Sequence, residues 1–179
     1  MEKAVLTKWA IDAAHSEIQF KVKHLVISTV TGKFNDFTGS VESEGDNFEA
    51  SSVEFSAKAD SITTGNADRD AHLKSDDFFN AEKYPELKFK STGLSKTGEN
   101  NYKLTGDLTI RDVTKKIELD VVYGGTVTDP YGNVKAGFEL TGKINRKDFG
   151  LKWSAVTEAG SVVVSDEVKL DLNVQLVKA

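Results

Sequence analysis

Residues 65–85, GNADRDAHLKSDDFFNAEKYP, hold the densest group of chemistry-bearing side chains in the chain: Asp68, Arg69, Asp70, His72, Asp76 and Asp77. Carboxylate oxygens and an imidazole nitrogen suit a divalent metal, and Asp68 and His72, four residues apart, would share one face of a helix. There is no second histidine nearby and no HExxH-like pair. The other reading is a solvated helical cap in which Arg69 is tied to a neighbouring aspartate. Ser75 before Asp76 and Asp77 reads as a helix start, its hydroxyl accepting from free amides while the carboxylates favour the N-terminal dipole, and Pro85 ends the segment.

The remaining candidates for chemistry are sparse. His24 falls in phase with Ile18, Phe20 and Val22 and would point inward, either as a hydrogen-bonded core residue or as a ligand or base. His15 reads as a turn or cap residue. There is no GxSxG elbow, and in AHSE the neighbouring His15 and Ser16 would point to opposite faces of a strand. Neither GxGxxG nor GxxxxGK[ST] occurs, so nucleotide binding has no support. Without cysteine there is no disulfide framework, no thiolate zinc site and no thiol redox chemistry. The stretch INRKDFGLKW, residues 144–153, sets Arg146 and Asp148 before Phe149 and Trp153. It reads either as a local ion pair or as an amphipathic mouth, with aromatic rings against an apolar tail and arginine toward an oxygen-rich head.

The elements that would position these residues are strands. Apolar and polar residues alternate in SEIQFKVKH, SVEFSAKAD, ELKFKS, YKLTGDLTI, KKIELDVVY, VKAGFELTGKI and DEVKLDLNVQLV, the pattern of strands with one face to a core and one to water. TVTGKFNDFTGSVE makes an eighth. Turn signals fall at Gly45–Asn47, Gly98–Asn101, Asp112–Lys115 and Asp129–Asn133. The opening stretch is read as one or two short helices, and HLVISTV as one helical turn. Eight antiparallel strands form a sandwich or close into a barrel, and closure removes the exposed edges. Ala57, Ala59, Ser91, Gly106, Ala136 and Gly142 lie in phase with the bulky residues. They would either leave a channel or offset large neighbours such as Phe20, Phe55 and Phe138.

Composition fits one soluble domain over residues 1–179. With 23 Lys and Arg against 28 Asp and Glu, the formal charge of −5 argues against nucleic acid as a partner and against an anionic membrane surface. No run reaches the roughly 20 apolar residues of a membrane-spanning helix, and stable membrane insertion is not expected. No secretory signal is visible, so the chain as given reads as cytoplasmic, or as periplasmic if a signal peptide has been removed.

Five blocks in chain order carry a resemblance to a known family: DAAHSEIQFKVKHL, TGKFNDFTGSVE, DSITTGNADRDAHLKSDDFFNAEKYPELKFKS, GDLTIRDVTKKIELDV and AGFELTGKINRKDFGLKW. They resemble the YceI-like, polyisoprenoid-binding family. The resemblance implies an all-β fold, an extended lipocalin-like barrel of eight antiparallel strands with one or two short helices and an apolar lumen for a long-chain amphiphile. It also implies that His24, Arg69, Asp70, His72, Asp77 and Phe79 cluster around the cavity or its lid. Arg146, Asp148, Phe149 and Trp153 join them from the last block. IRDVTKK departs from the family pattern, with Asp112 and Lys116 where Gly and Pro are usual.

The expected function is non-enzymatic binding, transport or storage of such an amphiphile: an isoprenoid quinone, a polyprenyl phosphate or a fatty-acid amide. No cofactor and no metal is expected, and a homodimer is left open. The apolar lumen is expected to be lined by Ile18, Phe20, Val22, His24 and Phe55, continuing through Leu104, Leu108, Phe138, Leu140, Phe149 and Trp153. Arg69, His72, Phe78, Phe79 and Arg146 are expected at the lid or the ligand's head. Two alternatives stand beside this: an enzyme or stress-response protein using His24 or His72 as acid or base, and a filled-core interaction module with no lumen.

Overall fold

The computed structural model describes residues 6–24, 28–44, 47–75, 78–151 and 164–179, with backbone alone at His24, Ala50 and Val164. Seven of the eight alternating segments each fall on one strand, and the eighth, TVTGKFNDFTGSVE, divides into two at a bend over residues 35–36. Along the chain run β1 (Leu6–Ile11), β2 (Glu17–His24), β3 (Ser28–Phe34), β4 (Phe37–Glu44), β5 (Asn47–Lys58) and β6 (Ile62–Thr63). After the helix α1 (Ala67–Lys74) come β7 (Glu86–Lys96), β8 (Asn101–Ile110), β9 (Val113–Thr128), β10 (Val134–Asn145) and β11 (Val164–Lys178).

Hydrogen bonding joins β1, β4, β5, β7, β8, β9, β10 and β11 in that order, and β11 pairs back with β1, which closes an antiparallel barrel of eight strands. Three further strands lengthen its staves. β11 pairs with β1 over Leu176–Lys178 and with β2 over Val164–Asn173, so β2 continues the stave that β1 begins. In the same way β3 continues β4 beside β2, and β6 continues β5 beside β3. The lower end of the barrel carries the turns at 97–100 and 129–133, and the upper end carries the Arg111–Asp112 hairpin, α1 and the 3-10 turn Arg146–Phe149. No pairing joins β6 to β7 among the described residues, so the wall between β3 and β7 is unzipped at the upper end, where the segment 64–85 lies.

Three local expectations are corrected. Leu6–Ile11 is a strand and not a helix, because it fills the gap between β4 and β11 with Trp9 and Ile11 turned inward; only the 3-10 turn Ala13–His15 remains of the helix expected there. Of the turn expected over HLVISTV, Ser28–Val30 are strand and Leu25–Ile27 lie outside the described residues. Ser75 ends α1 rather than starting it: Asn66 caps the N-terminus by accepting from the Arg69 amide at 3.0 Å, and the Ser75 amide donates to the His72 carbonyl at 3.1 Å. The turn read at Asp112–Lys115 tightens to Arg111 and Asp112, with Arg111 at a left-handed φ of 58°.

Candidate ligand cavity in the barrel

Alternation puts one apolar row of each strand inside. On β11, Val168, Leu170, Leu172, Val174 and Leu176 border a cavity of about 260 Å³, and Lys169, Asp171 and Asn173 face outward. Among the described residues that line it, only Gln19, Ser40, Glu54 and Arg146 have polar side chains. The row from Val168 to Leu176 spans about 26 Å along the strand, or roughly 20 Å along the axis of a barrel with tilted strands. Phe20, Phe55, Phe138 and Leu140 are only half-buried although they lie on the inner face, because they border empty space rather than other side chains. The lumen therefore rules out a filled core.

Aromatic rings close the lower end. Phe48 stacks edge-on to Phe138 at 5.0 Å and lies 5.4 Å from both Tyr123 and Trp9, while Tyr123 and Phe138 are 5.2 Å apart. Trp9 is 1% exposed, and its indole N–H donates to the buried Ser43 hydroxyl at 2.9 Å, which fixes the ring. Phe48 and Phe138 meet the cavity, and Trp9 and Tyr123 back them.

The upper end closes differently. Leu73 at the end of α1 and Phe78 and Phe79 beyond it border the cavity from a segment with no strand pairing. Phe79 meets Phe34 edge-on at 5.9 Å. The segment is held by a few bonds: the Phe79 amide to the Leu73 carbonyl at 3.0 Å, the Phe78 amide to the Ser75 carbonyl at 3.0 Å, and the Arg111 guanidinium to the Phe78 carbonyl at 3.2 Å.

Arg146 borders the same end of the lumen and is 2% exposed. Asn145 caps its 3-10 turn by accepting from the Lys147 amide. The guanidinium donates to the Leu151 carbonyl at 2.6 Å and the Ser165 carbonyl at 2.9 Å, and it lies 3.6 Å from Asp166. Burial pushes its pKa below the usual arginine value and Asp166 pushes it back. The side chain thus joins the turn after β10 to the start of β11, with its charge beside an apolar cavity.

Of the residues expected at the lumen, Ile18, Phe20, Val22, Phe55, Leu104, Leu108, Phe138 and Leu140 line the cavity. Phe149 is buried in the core but is not among the lining residues. Trp153 and the His24 side chain lie outside the described residues. At the expected lid, Phe78, Phe79 and Arg146 line the cavity, while Arg69 and His72 do not. Arg69 is bound to Thr64 rather than to an aspartate: its Nε donates to the Thr64 hydroxyl at 2.7 Å and Nη2 to the Thr64 carbonyl at 2.9 Å. Asp70 accepts from the Thr64 amide and hydroxyl, so the pair staples α1 to the chain before it. The His72 ring stands edge-on to Phe78 at 5.1 Å. Among the described residues no group of His, Cys, Asp or Glu could hold a metal, and Asp76 and Asp77 lie outside them.

Two of the small in-phase residues offset large neighbours. A Cβ on Gly106 would stand 2.4 Å from the Phe89 ring, and one on Gly142 2.5 Å from Leu119. The alternation missed the aromatic floor. The pairing register shifts between Glu42 and Glu44, and Phe48 is thereby out of phase with Val53 and Phe55. Trp9 sits in a strand too short to show a period.

A YceI-like domain matches residues 9–176. A UPF0312 protein of Photorhabdus laumondii subsp. laumondii is 45% identical over 142 residues, 79% of this chain and 73% of that protein. The crystal structure of the Campylobacter jejuni YCEI protein superimposes with a TM-score of 0.76 at 35% identity, covering 100% of this chain and 99% of that one. A polyisoprenoid binding domain from Saccharophagus degradans shares the fold, with a TM-score of 0.70 at 17% identity over 96% of this chain and 98% of that one. The chain belongs to the YceI-like family.

Proposed function

We propose that this YceI-like chain is a single-domain, non-enzymatic binding protein that takes up one long apolar amphiphile in its lumen for transport or storage. The observation that carries the reading is the cavity itself: long, walled by aliphatic and aromatic side chains, and bordered by a buried charge at one end only. Burying a dozen methylenes would give about 10 kcal/mol gross, at about 0.8 kcal/mol each, before the cost of association. An isoprenoid quinone, a polyprenyl phosphate or a fatty-acid amide meets these demands, with its polar head toward Arg146. The polyisoprenoid binding domain that shares the fold supports the isoprenoid class. Of the two acid or base candidates of an enzymatic alternative, His72 packs on Phe78 outside the lining, and the His24 side chain lies outside the described residues.

Uptake of a fluorescent fatty acid tests the reading. Purified protein is expected to bind one equivalent, and Leu140→Trp, which fills the middle of the lumen, is expected to abolish uptake while the chain stays folded by circular dichroism. Equal uptake by the filled variant would place the ligand elsewhere and refute luminal binding.

A further inference from the structure

We propose that the aromatic floor is a ruler: Phe48 and Phe138, backed by Trp9 and Tyr123, set the longest apolar chain that the lumen accepts. The inference rests on the luminal binding proposed above and adds what that reading leaves open, the selection by length.

A ruler needs a fixed stop, a bounded distance and a soft opposite end. The stop is fixed because its four rings stand on four different strands of the closed barrel, β1, β5, β9 and β10, and the indole of Trp9 is held by Ser43 at 2.9 Å. The rings touch one another at 5.0–5.4 Å centroid separations, so none can swing aside without displacing another. Phe138 pairs with Tyr123 on β9 and Val174 on β11, and the strands on either side leave it no route outward. The distance is bounded because Arg146 lies eight residues along the chain from Phe138, about 26 Å of extended strand. A head held at Arg146 therefore leaves a set length for the tail. The upper end gives way first, since Phe78 and Phe79 stand on turns outside the barrel strands, with the Arg111 guanidinium on the Phe78 carbonyl and the Phe34 ring against Phe79. A chain that is too long would strain the roof rather than the floor.

Straight-chain carboxylic acids of stepwise increasing length, competed against a fluorescent fatty acid on the full chain, test the ruler. Affinity is expected to rise about fourfold per added methylene up to a break, and then to level off or fall. Phe138→Ala is expected to move the break to longer acids. Phe138→Leu should move it less, which covers the case in which the alanine variant does not fold. Affinity that climbs through the whole series in the unaltered protein, or a break that stays put in Phe138→Leu, overturns the ruler while leaving luminal binding intact. Failure of every acid to bind overturns both.

Discussion

At the lower end of the lumen, Trp9, Phe48, Tyr123 and Phe138 stand on four ladder-paired strands, whereas at the upper end Phe78 and Phe79 stand on turns. Both ends close with aromatic rings, yet their resistance to opening differs. The floor rings stand on strands of the closed barrel and pack against one another. The roof is held by turn bonds and by the Arg111 guanidinium on the Phe78 carbonyl, next to a wall where no pairing joins β6 to β7 among the described residues. Burial alone does not show this difference, for Phe48 at 2% and Phe78 at 6% are both core residues. What decides it is the backbone each ring stands on.

The comparison breaks most easily on stability. Phe48→Ala is expected to cost about 3–5 kcal/mol in urea unfolding, the usual range for a phenylalanine removed from a fixed core. Phe79→Ala should cost about half of that or less, because the roof segment can settle into the space. Equal losses would mean that the roof is as fixed as the floor. Native-state hydrogen exchange sharpens the point, since amides of 73–84 should exchange well before those of 119–123 and 136–140.

Arg146 gives the next largest effect. Arg146→Met leaves the carbonyls of Leu151 and Ser165 without their donor and should cost about 1–3 kcal/mol. Arg146→Lys should recover part of that in the same urea titration, and the exchange of residues 146–151 should rise more than that of the floor strands.

The smallest effect concerns a polar clasp at the lower end. Lys135 lies 3.0 Å from Asp12 and 3.7 Å from Asp129, tying the β9–β10 turn to the chain after β1. The hydrogen bonds from His15 and then Lys135 hold the Asp12 carboxyl below its usual 3.8. That contribution is whole above pH 3.8 and fades as pH falls through the depressed value. Lys135 is raised above 10.5, chiefly by Asp12, so its contribution is whole below pH 10.5 and fades as pH rises through the raised value. Asp12→Asn should therefore lower Tm slightly near neutral pH, and the gap should close toward both extremes. A gap that widens in acid would contradict this linkage.

The barrel walls were legible in the sequence because a period of two is imposed by burial on one face; seven alternating runs each fall on one strand, while TVTGKFNDFTGSVE divides into β3 and β4. The ends were less so. The register shift beside Glu42 put Phe48 out of phase, and Leu6–Ile11 is strand only because β4 and β11 leave a place for it. Around α1, Asn66 and not the expected Ser75 caps the helix N-terminus, where hydrogen bonding to Thr64 anchors Arg69 and Asp70 just after it. That same anchoring takes Arg69 away from the lumen. Charge and residue type marked the 65–85 cluster as chemistry, while its apolar members, Leu73, Phe78 and Phe79, are the ones that line the cavity.

Native mass spectrometry of the chain purified from its own host, followed by solvent extraction, tests luminal binding most directly. One bound amphiphile per chain, recovered as a long-chain lipid and absent from Leu140→Trp, is the predicted result. Protein of unliganded mass that takes up no added amphiphile would contradict it.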